Sequence, residues 1–364
     1  MRKSKRYIAK HARVLQKPRF MNDPDAWFRR PWGRYLSSLL IAVAAEALLV
    51  LFCLYGPIPF FRNLIITSAM TTHSHQYYAY TFYSEETINK VLKANNVEPL
   101  QSQTDLDGIN INSDADEKEI TVRSISGNGW KGYVMEIPDP SWVRLGIPQD
   151  LGVKGQKIPQ IIEDYGAIAG INAGGFYDPE GWGNGGTPIG TIIIDGYTIH
   201  ENYEGYANII GFNEDDVLVL GRYKNSQLKD LNLRDACEFE PFLIINGEPA
   251  KITGDGGWGV APRTAIGQRK DGTVLFVVID GRQLRSAGAT MKQLQEVLID
   301  EGAYNAANLD GGSSTVLYYT EEGGVVNSPS GSDRDGMRFL PNAWLVVDPE
   351  TYSPPTDRAP HNEE

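Results

Sequence analysis

The sequence predicts an α+β class: a β-rich, mixed-sheet domain behind a single N-terminal transmembrane helix. Three observations predict it. From residue 120 onward short apolar runs recur, half of them closed by Asp-Gly or Asn-Gly turn signals. Two segments among those runs carry helical periodicity instead. Well ahead of both lies an apolar stretch long enough to cross a bilayer, since ~20 helical residues at ~1.5 Å rise span a hydrocarbon core of ~30 Å.

Charge divides the chain at that stretch. The 364 residues carry 34 Lys+Arg and 46 Asp+Glu, a net of −12. Residues 1–34 hold eleven basic groups against Asp23 and Asp25, a local charge of +9, whereas everything after Pro57 sums to −20. We therefore read 1–35 as a basic cytoplasmic leader and 36–56 as the membrane helix, interrupted by Glu46. Trp32, Tyr35, Tyr55 and Phe60 flank it as interfacial aromatics do, and Pro57 and Pro59 are expected to stop it. The positive-inside rule places the body outside the cell, on a single-pass membrane protein. An acidic body argues against nucleic acid as a partner. With only Cys53 and Cys237, the body closes no internal disulfide, which suits a bacterial surface.

Residues 57–118 read as a stalk or adaptor. It contains an aromatic stretch from His73 to Tyr80 and a helix capped by Ser84 with Ile88, Val91 and Leu92 on one face. The acidic run from Asp105 to Asp116 repeats oxygen side chains but lacks the Gly and Glu spacing of an EF-hand, so it reads as a solvated loop. Residues 119–350 form the main domain, with strands at 132–137, 168–172, 190–195, 217–220, 242–245, 274–280, 306–310 and 315–319. Its helices are expected at 158–165 and 294–301. Thr290 and Gln293 form a capping box for the second, and Gly302 stops it. Residues 351–364 are a polar tail.

The chain has no P-loop, His-Glu-x-x-His, Cys-x-x-Cys or Gly-x-Ser-x-Gly motif. Histidine is scarce, and a Ser–His–Asp triad in the domain would have to use His200. Four segments instead place polar groups where an apolar strand ends and glycine lets backbone approach a ligand. Asn308-Leu-Asp310-Gly311-Gly312-Ser313-Ser314-Thr315 supplies a carboxylate, two glycines and three hydroxyls. Asp280-Gly-Arg282 sets a guanidinium two residues after a carboxylate. Arg263-Thr264 opens an apolar strand with a planar fork suited to phosphate. Asn172-Ala-Gly174-Gly175-Phe176 puts an aromatic ring beside a glycine pair, a surface that suits a sugar face.

Together with Pro-Ile-Gly at 188–190, and in this order over about residues 165–348, these segments resemble the phosphodiester glycosidase family. That family includes an enzyme which removes N-acetylglucosamine from mannose-6-phosphate diesters, while bacterial members are commonly linked to exopolysaccharide or cell-wall glycans. Ala173 stands where many members run Asn-Gly-Gly directly, and Ser313 where a third glycine is frequent. The resemblance implies a hydrolase that breaks the bond between an anomeric carbon and a phosphodiester. A phosphate monoester leaves readily because its second pKa is ~6, so general-acid help is less needed than for an alcohol.

On this reading Arg263 and Arg282 hold the phosphate with the backbone N–H groups of Gly311 and Gly312. Asp310 or Asp280 activates water or stabilises the oxocarbenium-like centre, and Asn172 and Asn308 orient sugar substituents. Gly174, Gly175, Phe176, Thr264, Ser313 and Ser314 complete the expected substrate contacts. No cofactor is expected, with calcium or another divalent ion as the alternative. Two other functions stay open: a non-catalytic module that binds anionic cell-wall glycans, and a metal-dependent phosphodiesterase using Asp255, Asp280 and Asp310.

Overall fold

A computed structural model of the chain describes residues 31–71, 75–111, 119–178, 183–348 and 350–353. Residues 1–30, His73, positions 112–116 of the acidic run and the tail from 354 lie outside the described residues. The chain divides into two compact units, residues 1–62 and 63–364. The first contains the helix Pro31–Tyr55. Its 22-residue stretch Arg34–Tyr55 is long and apolar enough to cross a membrane. Pro59, expected to help end that helix, opens a new one, Pro59–Met70. A first helical residue needs no N–H partner and proline's φ is already helical, so proline starts helices as readily as it stops them.

The second unit begins inside that new helix. Residues expected as a stalk lie packed against the rest of it. Thr67 Oγ1 donates to the Asp255 carboxylate at 2.6 Å. The strand Asn96–Val97 pairs with Ile252–Thr253. Thr104 Oγ1 accepts from the Leu220 N–H at 2.8 Å and donates to the Leu218 carbonyl at 3.2 Å. The helix Glu85–Ala94 starts at Ser84 as expected, its hydroxyl accepting from the Thr87 N–H, and buries Ile88 and Val91.

Three larger sheets follow, and every strand pair among the described residues is antiparallel. The seven-stranded sheet runs, in spatial order, through Glu248–Pro249, Phe242–Ile245, Asn305–Asn308, Arg263–Gln268, Val274–Ile279, Trp130–Ile137 and Thr121–Gly127. One five-stranded sheet runs through Gly324–Val325, Leu317–Tyr319, Ala169–Asn172, Ala343–Val346 and Val143–Gly146. The other runs through Tyr197–His200, Ile192–Ile194, Leu233–Glu238, Tyr206–Asn213 and Leu218–Lys224. The β-rich α+β class is thus the one observed.

The inner faces of all three sheets meet in one core that includes Ile137, Leu145, Ile171, Ile210, Phe276 and Trp344. Their outer faces are covered as well. The helix Met291–Asp300 packs Leu294 and Leu298 against Leu275, Val277 and Ile279. The helix Ile158–Tyr165 packs Ile158, Ile161 and Ile162 against Ala343 and Leu345. Burial on both faces is why Val274–Ile279 reads as one apolar run without alternation, every residue of it being buried. Thr290 accepts from the Gln293 N–H while the Gln293 side chain accepts from the Thr290 N–H, the reciprocal capping box read from the sequence.

Trp344 is fully buried and meets Phe212 edge-on, ring centroids 5.6 Å apart, joining two sheets. Trp344→Ala should cost about 3–5 kcal/mol, read as a lower denaturant midpoint.

Candidate active site

The site forms where strands of two sheets end together. After Asn305–Asn308 the chain is fastened on both sides: the Leu309 N–H donates to the Thr264 carbonyl at 2.9 Å, Asp310 N–H to the Ala173 carbonyl at 3.0 Å, and Gly312 N–H to the Pro262 carbonyl at 2.9 Å. Asn172 Nδ2 donates to the Asp310 carbonyl at 2.6 Å. Its Oδ1 accepts from Thr264 Oγ1 at 2.8 Å and from the Val316 N–H at 3.1 Å. These bonds fix the backbone of Asp310 before any ligand is considered.

Asp310 faces a cavity of about 590 Å³ that Arg263, Arg282, Arg338, Asn308, Phe239 and Trp258 help to line. That volume suits a small-molecule site, typically about 300–1,000 Å³. Burial pushes the Asp310 carboxyl up to about 6, against opposing pulls from the Ser314 hydroxyl, Arg338 and the Gly311 N–H.

Arg263 is buried beneath the cavity. Its Nε donates to the Ala289 carbonyl at 3.0 Å and its Nη2 to the Trp258 and Gly259 carbonyls at 2.7 and 2.8 Å. Burial lowers its pKa to about 10, which leaves it cationic at neutral pH. Arg282 donates from Nη1 to Ser313 Oγ at 2.8 Å. Its backbone takes φ of +59°, a left-handed conformation costing a non-glycine residue about 1–2 kcal/mol. The turn is closed by Arg282 N–H to the Ala287 carbonyl at 3.0 Å and Gln283 N–H to the Ser286 carbonyl at 2.9 Å. Gly312, at φ +60°, is opposite, and a Cβ there would stand 3.2 Å from Arg282 Nη2. Among the described residues neither Arg263 nor Arg282 has a carboxylate at salt-bridge distance. Two cations in one concavity without paired anions favour an anionic ligand.

Arg338 is the third cation and comes from a loop. It pairs with Asp178 at 2.7 Å and lies over the Phe176 ring, 4.7 Å from its centroid. Phe239 and Trp258 form an aromatic wall, ring centroids 6.3 Å apart and tilted 51°. Glu238 also lines the cavity, but its carboxylate accepts from the Thr191 and Asn208 N–H groups at 2.6 and 3.0 Å and from Asn202 Nδ2 at 2.6 Å. Its bonds make it a brace for the wall.

Of the residues expected from sequence, Asp310, Arg263, Arg282, Gly175, Phe176, Asn308, Gly311, Gly312, Ser313 and Ser314 border the cavity. Asn172, Gly174, Thr264 and Asp280 do not line it. Asn172 and Thr264 are fully buried and bonded to each other, so Asn172 positions Asp310 and does not reach a sugar. The Gly174 N–H is taken by Asn342 Oδ1 at 2.6 Å. Gly312 likewise gives its N–H to Pro262, so it does not aim that donor at a ligand. Asn308 donates Nδ2 to the Glu240 carbonyl at 2.9 Å, while its buried Oδ1 has no partner among the described residues.

Asp280 accepts from Asn327 Nδ2 at 3.0 Å and the Ser328 N–H at 2.9 Å, and burial raises its pKa. It anchors a neighbouring loop. Asp255 is committed to Thr67 and to the Gly257 N–H at 2.8 Å. The Asp255, Asp280 and Asp310 metal set is therefore not assembled, and the described residues contain no cluster of three potential metal ligands. His200 is engaged by the Gly190 carbonyl at 2.7 Å and does not line the cavity. Arg338, Phe239 and Trp258 escaped the sequence reading because they sit in loops without strand or helix periodicity.

A family model of phosphodiester glycosidases matches residues 165–347, half of the chain and every strand end just described. The chain belongs to the phosphodiester glycosidase family. The SPbeta prophage-derived uncharacterized protein YomE of Bacillus subtilis (strain 168) is 32% identical over 200 residues, 52% of this chain. The match spans 28% of YomE's own length. Among solved structures, the zebrafish N-acetylglucosamine-1-phosphodiester alpha-N-acetylglucosaminidase catalytic domain, auto-inhibited by its pro-peptide, superposes with a TM-score of 0.52 at 20% identity. That match covers 63% of this chain and 82% of the zebrafish one, a likeness of fold.

The two strand-end carboxylates of this phosphodiester glycosidase should respond differently to substitution. Asp280→Ala removes the acceptor of the Ser328 N–H and one acceptor of the buried Asn327 Nδ2, and should lower stability by about 1–3 kcal/mol. Asp310→Asn should not, because a carboxyl whose folded-state pKa is raised to about 6 loses stability as pH rises from its unfolded value to about 6, so at neutral pH the ionised group already carries a cost that the amide lacks. Thermal melts of both variants at neutral pH check the contrast.

Proposed function

We propose that this chain is a glycosidase-type hydrolase that cleaves the bond between an anomeric carbon and a phosphodiester oxygen. The observation that carries it is the Asp310 carboxyl sharing one cavity with the guanidinium groups of Arg263, Arg282 and Arg338. Arg263 and Arg282 hold the phosphate and balance the charge it gains as the C–O bond breaks. Asp310 takes a proton from the attacking water, whose oxygen joins the anomeric carbon while the electron pair of the broken bond leaves on the phosphate oxygen. A carboxyl near pH 6 is a competent base at neutral pH. Phe239 and Trp258 cover one face of the sugar, which we take to be N-acetylglucosamine or a close relative.

The natural substrates on this reading are exopolysaccharide or other surface glycans outside the cell. The Arg34–Tyr55 helix supports it as a membrane anchor, and the basic leader supports a cytoplasmic N-terminus. The dispersed carboxylates favour a metal-free reaction, and EDTA should leave turnover unchanged.

Asp310→Asn should lower kcat on a sugar-1-phosphate diester about 10²–10⁴-fold. In the wild type kcat/KM should fall as pH drops through about 6, as the base protonates, and the variant should lose that limb. In ¹⁸O water the label should enter the sugar. Label in the phosphate would mean P–O cleavage and overturn the reading, and tight glycan binding without any product would make the chain a binding module.

A further inference from the structure

The short helix Gln76–Phe82 has an outer face built almost entirely of aromatic side chains. Ala79 and Tyr83 are buried against the body, while Tyr77, Tyr78, Tyr80 and Phe82 stand 56%, 46%, 54% and 38% exposed. Such a patch is unusual on a soluble surface, where large apolar groups are mostly scattered singly. Its surroundings are equally distinctive. Residues 63–84 contain no Asp, Glu, Lys or Arg, in a chain that is 22% charged. Tyrosine pairs an apolar ring with a hydroxyl that seeks water, the combination found in the headgroup layer of membranes.

The chain itself says which surface lies within reach. Gln76 follows Tyr55, the last residue of the apolar helix, by 21 positions, twelve of them in the helix Pro59–Met70. Those twelve advance the chain about 18 Å, and the other nine reach at most about 32 Å, so the patch is tethered within about 50 Å of the end of the apolar helix. Tethering of this kind corresponds to effective concentrations near millimolar, at which a small patch suffices for docking. Attraction of lysines and arginines to anionic lipids is not open to a body of charge −20, whereas an uncharged tyrosine face meets no such opposition.

We propose that the outer face of Gln76–Phe82 docks on the lipid headgroup layer of the membrane that holds the Arg34–Tyr55 helix. Docking turns the body toward glycans carried at the membrane surface, because His75, one residue before this helix, borders the same cavity as Asp310. The proposal rests on reading Arg34–Tyr55 as a membrane anchor.

The test uses the full chain in proteoliposomes with single-cysteine fluorophores. Cys237 is fully buried, with its pKa raised by burial, so it does not compete for label. A fluorophore on native Cys53 reports the anchor and should be quenched by lipids carrying a quencher deep in the acyl chain. In a Cys53→Ala background, a fluorophore at Tyr80→Cys should shift to the blue and lose emission to a headgroup-level quencher, unchanged by added salt. One at Tyr203→Cys, a fully exposed position, should do neither. Tyr77→Cys repeats the measurement if Tyr80→Cys misfolds. Water-like emission at both helix positions with Cys53 quenched overturns the docking and keeps the anchor. A blue shift without lipid quenching means that protein covers the face, a second copy included, and also overturns it. An unquenched Cys53 removes the anchor itself.

Discussion

One buried amide joins the two sheets at the site. Asn172 ends the Ala169–Asn172 strand, and its side chain reaches across to the Asp310 carbonyl and to Thr264, both from the seven-stranded sheet and its extension. The bond it accepts from Val316 holds the segment leading into Leu317–Tyr319. The geometry demands a donor on one side of the group and an acceptor on the other, which an amide supplies and a carboxylate does not. An aspartate in its place would set a negative charge against the Asp310 carbonyl, in an interior where an unpaired charge is costly. Everything the cavity presents along the 308–314 turn inherits its position from this crossing.

The electrostatics of the cavity run against those of the molecule. The body is strongly acidic, and a diester carries negative charge, so long-range attraction does not bring the two together. Local placement does the opposite. Arg263 is held by three backbone carbonyls, which orient its guanidinium without neutralising it as a carboxylate would. Arg282 is held by Ser313 and by a left-handed backbone turn. Arg338, bonded to Asp178, contributes shape and stacking on Phe176 more than free charge. Among the described residues the site thus keeps two cations without a salt bridge, whereas Arg338 beside them is paired with Asp178.

Much of this was legible in the sequence because it is local. Strand ends marked by Asp-Gly, the capping box at Thr290 and the helix at Ile158–Tyr165 depend on neighbours a few residues apart, and they are found where expected. The ten expected residues that border the cavity lie in motifs of the same kind. What stayed hidden depends on long-range packing. The strand Ala343–Val346 was not foreseen, because a short run flanked by Pro-Asn and Val-Asp gives little periodicity, yet it lies inside its sheet, paired with both Ala169–Asn172 and Val143–Gly146. The residues expected as a stalk gave no sign of their contacts with Asp255 and Ile252. Arg338, Phe239 and Trp258 reach the cavity from loops, and loop trajectories are set by the whole fold.

Asp280 and Asp310 show why site chemistry has to be read in three dimensions. In sequence they are near equivalents, each a carboxylate that closes an apolar strand and precedes glycine. Burial raises the pKa of both. The partners differ. Asp280 spends its carboxylate on Asn327 and Ser328 in the interior, so its protonation state is tied to the loop it holds. Asp310 is fixed through its backbone, by Asn172 and Ala173, and its carboxylate is left to face the cavity. Backbone bonds set the position of Asp310, and the Ser314 hydroxyl and the Gly311 N–H also bond its carboxyl at the cavity. Of the two carboxylates, Asp310 borders the cavity and Asp280 does not.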